Sequence, residues 1–191
     1  MKKLIVTLSA AFALFSFVVL EGGSWSLDGA HSRLGFTVKH MGISETNGQF
    51  DKFSVKITTP NADFTGSTIE LSAEAKSINT YLEMRDNHLR SADFFDVEKF
   101  PTLTFKSTSV KKGKGNKYAI VGDFTLHGVT KTVTLVGTHV GSSKNREGGD
   151  IAGLKVTGVI KRSDFGIGAS MPTSALADEI YLNADLEVAK N

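Results

Sequence analysis

From Trp25 onward, apolar and polar residues alternate with a period of two, as expected of strands with one buried and one solvated face. In RLGFTVKH, Leu34, Phe36, Val38 and His40 share one face, and Arg33, Thr37 and Lys39 the other. FSVKI sets Phe53, Val55 and Ile57 against Ser54 and Lys56, and IELSAEA sets Ile69, Leu71, Ala73 and Ala75 against Glu70, Ser72 and Glu74. The pattern returns at Leu103/Phe105, at Tyr118/Ile120/Gly122/Phe124/Leu126 and at Val133/Leu135/Gly137. Two more runs follow, Leu154/Val156/Gly158/Ile160 and Ile180/Leu182/Ala184/Leu186/Val188. About eight half-buried strands are predicted, with turn-forming residues in most gaps. KKGKGNK (111–117) predicts a hairpin tip, and GSSKNREGGD (141–150) a longer loop.

A single segment argues for helix. Thr80-Tyr81-Leu82-Glu83 fits a capping box, and Leu82, Glu83, Met84, Arg85 and Leu89 are good helix formers. A short helix is expected over about 81–90. The architecture is then single-domain, mainly antiparallel and all-β, with one helical insertion. Small residues on the inward faces (Ala73, Ala75, Gly122, Gly137, Gly158, Ala184) suit a barrel with room inside. They equally suit glycine bulges in a packed sandwich, so periodicity leaves both open.

The first residues break the strand pattern. Met1-Lys2-Lys3 is followed by a charge-free run, Leu4 to Leu20, and then by Glu21-Gly22-Gly23-Ser24. That order predicts a secretory leader over residues 1–23 and a mature domain over 24–191. A membrane anchor is the rival, because the run approaches the roughly 17–25 residues that span a bilayer; Thr7, Ser9 and Ser16 weigh against it. The chain has no Cys, so neither a disulfide nor a lipidated cysteine supports the exported domain. Twenty-two Lys and Arg stand against twenty Asp and Glu, and this near-balance gives no electrostatic case for nucleic acid.

Several chemistries are excluded by missing motifs. G-x-S-x-G, H-E-x-x-H, a P-loop and G-x-G-x-x-G are all absent. Asp86 and His88 read as a carboxylate–histidine pair, yet on a helix positions two apart lie about 200° apart around the axis. Five histidines (31, 40, 88, 127, 139) lack the close spacing of metal ligands. Arg85, Asp86, Arg90, Asp93 and Asp96 alternate in sign, as a charged lock on a helix and its exit loop would. Phe94 and Phe95 beside them suggest a cap with an apolar underside.

WSLDGAHSRLGFTVKHMGISETNGQF (25–50) resembles the opening of the YceI-like proteins, through Trp25, His31-Ser32, Phe36, His40-Met41 and Gly48-x-Phe50. MRDNHLRSADFFDVEKFPTLTF (84–105) is similar to the central signature of that family. GDFTLHGVTKTV (122–133), RSDFGIG (162–168) and the closing apolar strand agree as well. The resemblance implies a lipocalin-like antiparallel β-barrel exported to the periplasm, holding an isoprenoid or fatty-acyl lipid in an internal channel, without catalysis or cofactor. Phe36, Val38, Phe53, Leu71, Phe105, Phe124 and Leu135 are then expected to line the channel. His40, Asn79, Arg85, Asp86, His88 and Arg162 are expected at its polar mouth or in the cap. A homodimer through barrel edges and transient contact with a membrane are compatible with this reading. Two rivals stand beside it: a periplasmic copper- or zinc-binding protein using His31, His40 and His88, and a lipid hydrolase using Asp86 and His88.

Overall fold

Period-two alternation produces ten strands in a computed structural model that describes residues 22–191. All but the last two residues of the expected leader lie outside the described residues. The first strands are β1 (Gly23–His40), β2 (Ser44–Phe50), β3 (Phe53–Thr59), β4 (Thr68–Glu74) and the two-residue β5 (Ile78–Asn79). Helix α1 (Glu83–Arg90) precedes β6 (Thr102–Lys112), β7 (Lys117–Leu126), β8 (Val129–Lys144), β9 (Asp150–Lys161) and β10 (Leu176–Lys190). Every pairing is antiparallel.

Eight strands run in the order β10-β9-β8-β7-β6-β4-β3-β1, and β10 pairs back onto β1 to close a barrel. Closure removes the free edges that an open sheet would expose. It is an antiparallel, lipocalin-like barrel with two extra strands and one helix, so the choice between sandwich and barrel is decided. The long β1 does two jobs. Its first residues pair with β3, Gly23↔Thr59 to Ser26↔Lys56, and its last with β2, Leu34↔Phe50 to His40↔Ser44. An irregularity between Asp28 and Arg33 separates the halves, while β10 follows both. β2 carries β5 on its outer edge, and β5 leads into α1.

Inward side chains are buried where the alternation put them: Val55 and Ile57, Leu103 and Phe105, Ile120 and Phe124, Leu186 and Val188. Outside, unlike charges face each other across neighbouring strands, Lys56↔Glu70, Glu70↔Lys106 and Lys106↔Asp123.

Three local expectations are corrected. β2 and β5 did not stand out in the sequence, because in SETNGQF only Phe50 is a large apolar residue and Gly48 replaces another. A side chain at Gly48 would run into the Phe36 ring. The expected loop over 141–150 shrinks to 145–149, since β8 continues to Lys144 and β9 starts at Asp150. The helix starts at Glu83 with Leu82 as its N-cap and no side-chain cap bond. Thr80 does not close a capping box, because its hydroxyl faces Asp86 and Arg85 instead.

Candidate functional site: an apolar channel and its capped mouth

Three chambers follow one another along the barrel interior, of about 320, 110 and 40 Å³. The first two share Phe36, Phe50, Leu103, Phe124 and Leu182, which form the throat between them. The second and third share Val55, Ile69, Ile120, Val156 and Leu186. Polar side chains gather in the first chamber, where Thr46, Thr80, Arg85, His40, His88 and Arg162 join apolar walls, while Tyr118, Thr138, His139 and Lys155 border the small third chamber. The second chamber carries a single polar side chain, Asn183.

The cap over the first chamber is built from α1 and the loop after it. Asp86, only 3% exposed, accepts the Thr80 amide at 2.9 Å and the Thr80 hydroxyl. Thr80 in turn accepts Arg85 Nε on its hydroxyl and Arg85 Nη2 on its carbonyl, each at 2.7 Å. At the far end of α1, Arg90 donates to the carbonyls of Lys76 and Ile78, both at 3.0 Å. The helix is thereby tied to the segment around β5. Phe94 and Phe95 point beneath it into the chamber, with Phe95 edge-on to Phe50 at 5.8 Å and Phe94 edge-on to His88 at 4.9 Å.

Arg162 organises the opposite lip. It is 5% exposed and donates from Nε to Ala177, from Nη1 to Ile167 and Gly168, and from Nη2 to Met171 and Leu176, always to backbone carbonyls. The connection from β9 to β10, which opens with a 3-10 turn at Arg162–Phe165, is gathered around this one planar fork. Asp178 pins the start of the loop by accepting the Ser163 amide and hydroxyl at 3.0 and 2.8 Å. Burial works to raise the Asp178 carboxyl, but those bonds and nearby Arg162 hold it below its ordinary value.

Of the residues expected in the channel, Phe36, Val38 and Phe124 line the first chamber. Phe36, Leu71, Phe105, Phe124 and Leu135 line the second. Phe53 lines none of the three; it is half-buried and packs between the two apolar clusters of the barrel. Of the polar residues, His40, Arg85, His88 and Arg162 line the first chamber. Asn79 does not; it donates to Asp51 at 2.9 Å and accepts the Tyr81 amide. Asp86 sits behind Thr80, where a carboxylate is spent on fixing the cap. Sequence reasoning missed Phe50, Leu103, Leu182 and Thr80. Leu103 and Leu182 stood on recognised apolar faces, but nothing in the alternation marks a throat.

His40 and His88 border the same chamber, but the other three histidines lie apart from them. His31 lies on the barrel exterior with Asp28 and Glu187, its Nδ1 2.9 Å from Asp28 and 4.0 Å from Glu187. That trio is the one group of three metal-type ligands close together among the described residues, and its His31 is exposed. The hydrogen bond that His31 donates to Asp28, then the charges of Asp28 and Glu187, hold His31 above its ordinary value. The same bond, with the Ala30 amide, holds Asp28 below its own. His88 pairs with Asp93 at 3.5 Å while Asp86 bonds Thr80, so the two members of the expected dyad have different partners. His127 occupies the β7–β8 turn at φ 52°, with Nδ1 3.0 Å from the Phe165 carbonyl and its ring edge-on to Phe100.

A closed antiparallel barrel enclosing a capped apolar channel defines a lipocalin-like barrel. Within that class the chain belongs to the YceI-like family, whose domain model matches residues 25–188. A UPF0312 protein of Photorhabdus laumondii is 36% identical over 181 residues, covering 93% of this chain and 94% of its own. A UPF0312 protein of Staphylococcus aureus is 41% identical over 147 residues, covering 75% and 82%. Among solved structures, Burkholderia cenocepacia BcnA superposes with a TM-score of 0.76 at 26% identity, over 84% of this chain and 98% of its own. The Campylobacter jejuni YceI protein does so with 0.71 at 32%, over 86% and 96%. A polyisoprenoid binding domain from Saccharophagus degradans shares the fold, with a TM-score of 0.64 at 17% identity, over 87% and 98%.

Proposed function

We propose that this protein is an exported, non-catalytic binding protein that holds a long isoprenoid or other lipid-like amphiphile in its channel, for carriage, storage or a stress response. The observation that carries the proposal is the series of three chambers, with mainly apolar walls and a cluster of polar side chains at the capped end. An amphiphile matches that division, with its chain threaded through the throat and its head at the cap. Each five-carbon prenyl unit transferred from water contributes on the order of 3–4 kcal/mol before entropic costs. The Saccharophagus degradans domain, a polyisoprenoid binding domain on the same fold, supports an isoprenoid as one occupant.

Native mass spectrometry of the protein purified gently from its own compartment, followed by lipid extraction, tests the proposal. A stoichiometric prenyl or acyl lipid is the expected result. Protein that is empty, and that also fails to bind added prenyl or acyl lipids, would overturn it. Export rests on the leader pattern of residues 1–23; cell fractionation and the amino-terminal sequence of the mature protein test it.

Loading from a membrane belongs to the same proposal. Met41 and Ile43 follow His40, while Tyr81, Leu82 and Met84 precede Arg85, and all five are exposed on segments adjoining chamber residues. Ile43→Asp is expected to slow lipid transfer from vesicles while leaving equilibrium affinity unchanged. An unchanged transfer rate would remove Ile43 from the route.

A further inference from the structure

The hydrogen-bonding capacity left in the first chamber is uneven, and the unevenness has a chemical meaning. Arg162 has every guanidinium nitrogen engaged by a carbonyl, so it offers a ligand no free direction. The Thr80 hydroxyl donates to Asp86 and accepts from Arg85. Arg85 differs from both. Its Nε and Nη2 are taken by Thr80 alone, its Nη1 bonds no described residue, and no carboxylate among the described residues forms an ion pair with it. Because Thr80 is itself fixed by the buried Asp86 carboxylate, two of the three Arg85 nitrogens are held in place. The third is left over on a half-buried side chain that lines the chamber.

Among the described residues no Asp or Glu lines that chamber; besides the arginines its polar lining is Thr46, Thr80, His40 and His88. A donor head such as an ammonium would find two cations and no carboxylate there. An acceptor oxygen would meet a pre-positioned guanidinium, the geometry in which charge-assisted bonds are strongest.

We infer that Arg85 is the head-group subsite of the channel and that it takes an acceptor oxygen, of a carboxylate, phosphate or carbonyl head, in preference to an amine. The inference rests on the amphiphile reading above and narrows it to one class of head. Asp86 and Thr80 act as positioning residues, and Arg162 holds the lip without touching the head.

The test uses the delipidated mature protein and three ligands with one chain: palmitic acid, methyl palmitate and hexadecylamine, measured by displacement of a fluorescent fatty probe near neutral pH. Acid and ester are expected to bind about tenfold more tightly than the amine. Arg85→Met, which keeps apolar bulk and removes the donors, is expected to erase that preference while probe binding persists. Arg85→Gln, a second variant that retains a neutral donor, is expected to keep part of the ester affinity, and a thermal melt confirms that both fold. Amine binding equal to that of the acid, or a preference that survives in Arg85→Met, would overturn the subsite and leave the channel reading standing. Failure of all three ligands and of the probe to bind would overturn the channel reading as well. Inorganic phosphate is expected not to displace the probe; displacement by phosphate alone would make Arg85 a free-anion site and overturn the assignment to a lipid head.

Discussion

Arg162 directs its whole guanidinium at backbone carbonyls, so its removal leaves several buried acceptors unpaired at once. Arg162→Met is therefore expected to lower stability by about 3 kcal/mol or more. Arg162→Lys should restore little of it, because one ammonium cannot reach carbonyls arranged around a planar fork. Urea unfolding measures both, and a loss under about 1 kcal/mol for the Met variant would mean that the loop is held by other contacts. His31 and Asp28 make a smaller, pH-dependent contribution. The raised His31 pKa stabilises the fold fully below the ordinary histidine value, and the effect fades as pH rises through the folded value. The lowered Asp28 pKa stabilises above the ordinary aspartate value, and the effect fades as pH falls through the folded one. The pair thus acts between roughly pH 4 and 6.5. The melting-temperature difference between the wild type and His31→Gln should be larger at pH 5.5 than at pH 8.5, and equal differences would exclude the pair as a source. Both residues were visible in the sequence, His31 through its motif and Arg162 in RSDFGIG. Asp28 was visible too, three residues before His31, but the remaining partners were not, because Glu187 lies on β10 across the closing seam and the carbonyls gathered by Arg162 belong to a loop without a periodic pattern.

Gly122 and Gly158 read alike in the sequence, each a small residue on an inward face, yet their strands treat them differently. A Cβ on Gly122 would meet the Lys106 carbonyl oxygen and the Phe105 ring, each at 2.5 Å, and backbone cannot step aside. A Cβ on Gly158 would meet only the end of the Leu135 side chain, which can turn away. Gly122→Ala should cost about 1–3 kcal/mol, whereas Gly158→Ala should be close to neutral because alanine also loses less chain entropy. Chemical denaturation of the two variants checks the contrast, and equal costs would show that the β6–β7 approach is not the constraint. The same contrast explains what the alternation could reveal. Strands such as β3 and β7 declare themselves because their buried faces are continuous. β2 stays hidden, since Gly48 yields its place to the Phe36 ring of a neighbouring strand. The start of α1 moves because Thr80 is recruited by Asp86, six residues on, in place of the amides it would have capped.

Channel length is a property of the whole barrel, and the throat is where it can be cut. Leu182 stands between the first two chambers, so Leu182→Trp should sharply reduce affinity for long chains and spare ligands short enough for the first chamber alone. A binding series of increasing chain length measures this; a uniform loss at all lengths would place the ligand elsewhere. The alternation of apolar and polar residues determined by itself that this chain is a set of antiparallel strands with one wet face, because side-chain direction along a strand is a local matter. The spaced motifs carried the family for the same reason, being local. Closure of β10 onto β1, the stacking of three chambers and the meeting of Phe50, Leu103 and Leu182 at the throat were decided only in the tertiary structure, since each depends on residues brought together from distant parts of the chain. The division of labour among the basic residues was decided there too. Sequence shows that Arg85 and Arg162 are arginines, but only the fold sets carbonyls against every nitrogen of Arg162 and, among the described residues, none against one nitrogen of Arg85.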